Sequence, residues 1–404
     1  MMMVQTIEQI GDSLTLMTLM AWVMAMPGKS TSANMTILLF WIGLPIILIS
    51  PFSGVLIDRF RRKTLLLSAT ALKGTFIFLI YLYIKDPGLV PLLYFLVFMK
   101  SFSTQFFIPA KSAYMPDVVN DKASLFQANS ISTTAMVLTQ ITTYAVAGWA
   151  ITKIGAQHML AISSSLYIPA ALLVALINSK ENVERHKKIE SFSHVIKDLA
   201  DGFKFMFKNS KVLFITRRVF IMMICIIMFY IALSGGVLQR ILAETNLPLL
   251  REPIQALGFM MAALGVGLVL GVVFIDRILK VIDEKSLIRI LFPSVGVLIC
   301  VLYFFPNYFY LVGCALVGGM GGMIVLSLAE TGIQHETPEN MRGRIFSAYY
   351  IFRNTGPLIA SVIAGFLIRF MDEEKVMLIS GVLLVGYGIF SLYTRRMKSK
   401  RRVS

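Results

Sequence analysis

Five charged residues stand inside stretches that are otherwise apolar: Asp12, Lys73, Lys100, Glu330 and Arg353. A charge at the centre of a membrane helix costs at least ~2.5–3.5 kcal/mol, so such residues persist where they are paired, wet or useful. A carboxyl removed from water can take up and release a proton as its surroundings change, which is the chemistry of a proton relay. Asp12 fits that role or a plainer one, an acid in the first turns of a helix favoured by the helix dipole. Lys100 is suited to pair with Asp12 or to attract an anion. Lys73 is a second cavity cation, or a side chain that snorkels to the interface. Glu330 reads equally as a second titrating acid and as an end-of-helix charge. Arg353 is a partner for Asp58. Gln140 and Asn129 are suited to hydrogen bonds within a helix bundle, and Gln140 also, with Lys73 and Lys100, to contact with a substrate in the cavity.

The elements that must hold these groups follow from composition. Hydrophobic residues make up 57% of the 404, and charged residues 15%. Soluble domains sit nearer half apolar and a quarter charged. The excess falls in runs of roughly 20 residues, the length that crosses a hydrocarbon core of ~30 Å as a helix. Twelve such runs are expected, at 7–26, 35–57, 64–84, 91–108, 125–151, 157–178, 212–238, 254–275, 286–304, 308–329, 345–369 and 376–394. The net charge of +16 is unevenly placed: with the end turns of each run counted with the adjoining loop, 28 of the 38 Lys and Arg fall on one side of the alternating loops, 7 on the other and 3 deep within spans. That asymmetry marks the richer side as cytoplasmic and puts both termini there; it argues for lipid, not nucleic acid, as the basic residues' partner. The first run has almost no basic leader, so either it begins at the membrane surface or the start of the chain lies upstream.

Residues 179–211 form the one long polar stretch. Within it Phe192, Val195, Ile196, Leu199, Phe203 and Met206 recur at helical spacing, which predicts an amphipathic helix. The expected organisation is a six-helix bundle over 1–178, this linker, a second six-helix bundle over 212–394 and a basic tail over 395–404. The halves echo each other. Gly54-Val-Leu-Ile-Asp58-Arg59 follows the second run, and Gly271-Val-Val-Phe-Ile-Asp276-Arg277 follows the eighth. Such duplication is common among secondary transporters.

The segment Gly54-Val-Leu-Ile-Asp58-Arg59-Phe60-Arg61-Arg62-Lys63 resembles the signature loop of the major facilitator superfamily, with Arg61 in place of the usual second glycine. The resemblance implies an all-α membrane fold with about twelve helices in two pseudo-symmetric six-helix bundles and a central cavity. It also implies that this loop, with its echo at Gly271, Asp276 and Arg277, latches the cytoplasmic side. Helices one, four, seven and ten usually line the cavity in that family, which singles out Asp12, Lys100 and Glu330. Phe106–Val119 followed by Leu125-x-x-Ala128-Asn129-Ser130, and later Thr337–Ile345, are similar to the branch of macrolide and siderophore exporters. The fifth run lacks the Gly-Pro-x-x-x-Gly element of many exporters, whereas the eleventh holds Gly356-Pro357 and Gly365. Pro109-Ala110-Lys111 and Ala71-Leu72-Lys73 are instead similar to short motifs of lysophospholipid transporters.

The expectation is a non-enzymatic, monomeric multi-pass protein of the cytoplasmic membrane. It exports a small amphipathic or lipophilic compound at the expense of the proton gradient; a lysophospholipid translocase and a non-transporting receptor or scaffold are the rivals. No Walker loop is present, so no ATP site is expected. Gly318–Gly322 lies in a long apolar run and reads as helix packing or flexibility rather than a phosphate cradle. Cys225, Cys300, Cys314 and the four histidines have no metal-ligand spacing, and no cofactor is expected.

Overall fold

In the computed structural model the chain is helical throughout most of the residues it describes, which are 1–26, 31–118, 122–177, 192–245, 250 and 252–400. The side chains of 50, 51, 53–59, 87, 112, 113, 116–118, 122–130, 192–194, 285, 340 and 391–400 lie outside that description. The helices are α1 (Met2–Met24), α2 (Thr31–Arg59), α3 (Arg62–Tyr83), α4 (Val90–Val118), α5 (Lys122–Ile154), α6 (Ala156–Leu176), α7 (Phe192–Lys208), α8 (Ser210–Ala232), α9 (Leu238–Thr245), α10 (Pro253–Leu279), α11 (Glu284–Phe304), α12 (Tyr308–Glu336), α13 (Arg342–Leu367) and α14 (Glu373–Lys400). With α8 and α9 taken as one interrupted helix and α7 as the linker helix, twelve long helices match the twelve apolar runs. Most overrun their runs by a few residues, because a helix in lipid continues until its last backbone groups reach water or a cap.

The ends are set by local chemistry. Asn209 caps α8 by accepting from the Lys211 and Val212 N–H groups, Asp283 caps α11 through Ser286, and Asn307 caps α12 through Phe309 and Tyr310. Gly155, at φ 89°, makes the sharp turn from α5 to α6 that a side chain would resist. Pro253 opens α10 in the first turn, where its missing N–H costs no helical hydrogen bond.

Among the described residues eight helical stretches are long and apolar enough to cross a membrane by themselves. α1 and α13 are not among them, although they are 23 and 26 residues long. The first carries Gln5, Glu8, Gln9 and Asp12, and the second Arg342, Arg344 and Arg353. Polar residues lower the hydropathy of a helix whose neighbours, rather than lipid, receive them.

The chain divides into two compact units. The first comprises Met1–Ala25, Leu38–Phe205 and Gly343–Asn354; the second comprises Met26–Ile37, Met206–Arg342 and Thr355–Ser404. In the first unit α3 packs on α4 and α6, and α1 on α5 and α6. The linker helix α7 belongs mostly here: Arg344, at the start of α13, reaches Asp198 at 3.0 Å and Asp201 at 3.7 Å. Gly202 of α7 lies against the Arg344 backbone and the Ala348 side chain.

In the second unit α10 packs on α12, and α14 on α11 and α8. Gly267 and Gly271 of α10 and Gly319 of α12 stand where an added Cβ would run into the facing backbone. This is small-residue packing of the kind membrane helices use in place of hydrophobic burial. Of the glycines in the Gly318–Gly322 run, Gly319 is in such tight packing and Gly321 makes ordinary contact with Leu291, while Gly318 and Gly322 border open space. A π-helical segment at Leu233–Val237 joins α8 to α9, broken at Gly235 (φ −88°, ψ −139°). Glu373, at the head of α14, accepts hydrogen bonds from the Ser32 hydroxyl and from the Gly236 N–H, both at 2.5 Å.

Candidate functional site

The first unit gathers four charges from three helices. Glu8 and Asp12 lie one turn apart on α1, so both side chains project from the same face. Lys73 of α3 donates to Glu8, with Nζ also 3.1 Å from Asp12 Oδ2. Lys100 of α4 reaches the other Asp12 oxygen, Oδ1, at 2.6 Å. Two carboxylates and two ammonium groups thus form a chain, Glu8–Lys73–Asp12–Lys100, whose formal charges sum to zero.

Neutral partners complete it. The Thr70 hydroxyl donates to Glu8 Oε1 at 2.5 Å, and the Tyr167 hydroxyl of α6 donates to Asp12 Oδ1 at 2.9 Å. The Lys73 ammonium also lies 4.6 Å from the centre of the Phe107 ring and 5.3 Å from that of Tyr167, within cation–π range. Gly11 and Gly74 allow this closeness: a Cβ on either would come within 2.9 or 2.8 Å of Tyr167. The α1–α6 contact is fixed one turn further on. There Ser163 donates to the Gly11 carbonyl at 2.8 Å, and Thr15 and Ser163 share a 2.6 Å hydrogen bond.

Exposure is graded along the chain of charges. The Lys73 and Glu8 side chains are 0% and 2% exposed, whereas Lys100 and Asp12 are 14% and 23% exposed. One end is therefore a sealed ion pair and the other a pair within reach of water or a solute. A buried pair is tolerated when geometry and added hydrogen bonds offset desolvation, and removing one partner leaves an uncompensated charge. The arrangement can respond chemically at Asp12, the only member held by two lysines and also partly open.

Three of the four members are recognisable in the sequence as charges within apolar runs. Lys73 does not snorkel but is sealed inside. Glu8 is the member that sequence reasoning misses, because it stands close to the start of the helix. Its spacing of four from Asp12, on a helix facing two intramembrane lysines, is the signal that could have found it. Nearby, Gln140 of α5 donates to the Tyr144 hydroxyl at 3.0 Å. A second polar knot lies toward the start of α1, where Gln5 Oε1 accepts from Lys111 at 2.8 Å and from Ser132.

Glu330 is half-buried on α12 in the second unit. Arg353 stacks on Tyr350, 5.0 Å from its ring centre. The signature segment is mostly helix, since α2 runs through Arg59 and α3 begins at Arg62, leaving Phe60 and Arg61 as the turn. The surroundings of Gly54 and the side chains of Asp58, Arg59 and Asn129 lie outside the description, and so does the Arg353–Asp58 pairing. Arg61 is exposed, Arg62 half-buried, and Lys63 donates to the Ala175 and Ile177 carbonyls at 2.7 and 2.8 Å. In the echo, Gly271 packs on α12, while Asp276 and Arg277 are exposed in the last turn of α10. Among the described residues no group of His, Cys, Asp and Glu could hold a metal ion.

The chain is 22% identical over 415 residues to the uncharacterized MFS-type transporter YfiS of Bacillus subtilis (strain 168), covering 98% of this chain and 93% of that one. Among solved structures it is similar to the nucleoside transporter NupG, with a TM-score of 0.76 at 13% identity over 97% and 98% of the two chains. It is also similar to a bacterial homologue of the iron transporter ferroportin in an inward-facing state, with a TM-score of 0.72 at 14% identity over 96% and 97%. The family model of the Major Facilitator Superfamily matches residues 1–360 and 244–404, and the chain, an all-α membrane protein of two six-helix bundles, belongs to that superfamily of transporters.

Proposed function

We propose that this protein is a proton-coupled exporter of a small amphipathic or lipophilic compound, working as a monomer in the cytoplasmic membrane by alternating access with both termini inside. The observation that carries the coupling is the placement of Asp12, held by Lys73 at 3.1 Å and Lys100 at 2.6 Å at the open end of a buried, charge-balanced chain. A proton on Asp12 would release Lys100 from its partner and leave the cluster one charge positive. An unmatched charge at membrane depth costs at least ~2.5–3.5 kcal/mol, a penalty large enough to favour a rearrangement that lets Lys100 reach water or a solute. Loss of the proton restores the pair and the starting state. In this reading Tyr167 and the sealed Glu8–Lys73 pair position Asp12. Glu330 serves as a second acid, and Gly54–Lys63 with Arg353 and the Gly271–Arg277 echo gate the cytoplasmic side.

Export rests on the segments similar to the macrolide and siderophore branch. The nucleoside and iron substrates of the structural neighbours are not carried over, since likeness at 13% and 14% identity is likeness of fold. The test is transport of a fluorescent amphipathic cation in proteoliposomes under an imposed pH gradient, comparing wild type with Asp12→Asn. Gradient-driven flux should appear in wild type and vanish in the variant. Robust flux indifferent to both the gradient and the substitution removes Asp12 from the coupling. Gradient-independent movement of a lysophospholipid in the same vesicles would instead favour the translocase reading.

A further inference from the structure

A cavity of about 610 Å³ lies between α3 and α6 and involves no member of the charged chain directly. Its walls are small or apolar, from Ala71, Gly74 and Thr75 on α3 to Ser164 and Ala171 on α6. Ala71, Thr75, Ile168 and Leu172 are exposed on the folded chain, so the cavity opens sideways along two membrane-crossing helices. It runs from Leu67 to Phe78, a helical rise of about 17 Å at ~1.5 Å per residue. That is close to the depth of one leaflet, half of the ~30 Å hydrocarbon core.

The two ends differ. Ala175, which lines the Leu67 end, gives its carbonyl to Lys63. Lys63 therefore ties the first turn of α3 to the end of α6 beside that mouth, and Arg61, two residues before it, is exposed. At the other end the next cations along the chain, Lys85 and Lys153, stand seven and eight positions from Phe78 and Ala161, against four between Lys63 and Leu67. Tyr167 also lines the cavity, with its Cβ against Gly74, while its hydroxyl holds Asp12 at 2.9 Å.

The geometry points to a binding site for one anionic phospholipid: an acyl chain lies in the α3–α6 groove, its phosphate faces Arg61–Lys63, and the acyl chain rests against Tyr167 behind Asp12. The length matches one leaflet, the charge at the mouth matches a phosphate, and the apolar walls exclude a hydrated solute. The site is separate from the exporter reading, since its test reads binding and not flux.

The experiment uses the full chain in phosphatidylcholine vesicles containing phosphatidylglycerol with a diazirine on its acyl chain, and maps cross-links by mass spectrometry. Cross-links from phosphatidylglycerol should fall on 67–78 and 161–175 at least about tenfold above those on other exposed helix faces, such as 359–366. That ratio corresponds to ~1.4 kcal/mol of preference. The same diazirine on phosphatidylcholine should lose that enrichment, and so should Ala171→Trp, which fills the groove. An even spread over all exposed helices would mean bulk lipid only. Equal enrichment for both headgroups would remove the role of the basic turn. Lipid adducts on the other exposed helices but none on 67–78 and 161–175 would mean that something other than lipid fills the groove. Each of these three results overturns the proposal, and the wild-type map decides it even if the tryptophan variant does not fold.

Discussion

Replacing Lys73 with methionine keeps the approximate length of the side chain and removes its charge. The loss falls on Glu8, which is 2% exposed and would keep only the Thr70 hydroxyl, while Asp12 would keep Lys100 and Tyr167. Stranding one member of a buried pair costs roughly 3–5 kcal/mol, or about two to three and a half decades in the folding equilibrium. Glu8→Gln should be milder, about 1–3 kcal/mol, because Lys73 retains Asp12 at 3.1 Å. The double variant Glu8→Gln/Lys73→Met removes both charges of the sealed pair and leaves Asp12–Lys100 in place. It should recover most of the Lys73→Met loss, which sets a coupling energy of about 2.5 kcal/mol or more, at or beyond the upper end of the ~0.5–3 kcal/mol seen for contacting residues. Unfolding in mixed micelles, followed by fluorescence of the three tryptophans, of which Trp22 shares α1 with Glu8, gives all four corners of the cycle. Additivity within ~0.5 kcal/mol would refute the claim that Glu8 and Lys73 are held as a pair.

Tyr167→Phe removes the hydroxyl that donates to Asp12 and should cost ~1.5–3 kcal/mol, as for hydrogen bonds to charged groups, measured by the same unfolding assay. Gly235→Ala would place a methyl group against the Ser32 hydroxyl and within 2.6 Å of the Glu373 carboxyl carbon. It should break the Glu373 bridge, seen as faster labelling of a Ser32→Cys reporter by a thiol reagent. Gly319→Val drives a branched side chain into the α10 backbone and should abolish recovery of folded protein on size-exclusion chromatography, whereas Gly322→Val, at a glycine with nothing within 4 Å, should not. Arg344→Gln loses a bridge whose side chains are 38% and 25% exposed, and should change stability by no more than ~1 kcal/mol.

The architecture was legible because lipid imposes one rule on every segment: an apolar run of about 20 residues must close its own hydrogen bonds as a helix. The runs at 254–275 and 308–329, for example, correspond to α10 and α12 with little difference at their starts. The ends were less legible. The predicted first and second runs are 7–26 and 35–57, yet α1 begins at Met2 and α2 continues through Arg59; at Glu8 a polar residue is carried on the helix because another helix receives it. The site was half legible. Asp12, Lys73 and Lys100 announced themselves as charges out of place, but which acid meets which base depends on the rotation of three helices about their axes. Apolar residues on most faces of a membrane helix leave that rotation poorly marked. Tyr167 was invisible for another reason: a tyrosine in an apolar run looks like packing until a carboxylate stands opposite its hydroxyl. The interruption at Gly235 likewise sits beside Ser32 and Glu373, more than 100 positions away on either side.

The zero sum of the four charges has an evolutionary consequence. Selection acts on the set, not on its members, so a lineage that loses Lys73 must lose or neutralise Glu8 at nearly the same time, and a lineage that inverts position 12 must invert position 100. Substitutions at positions 8, 12, 73 and 100 should therefore appear in relatives as compensated pairs, and the rare sequences caught with a single change should show a second one at Thr70 or Tyr167.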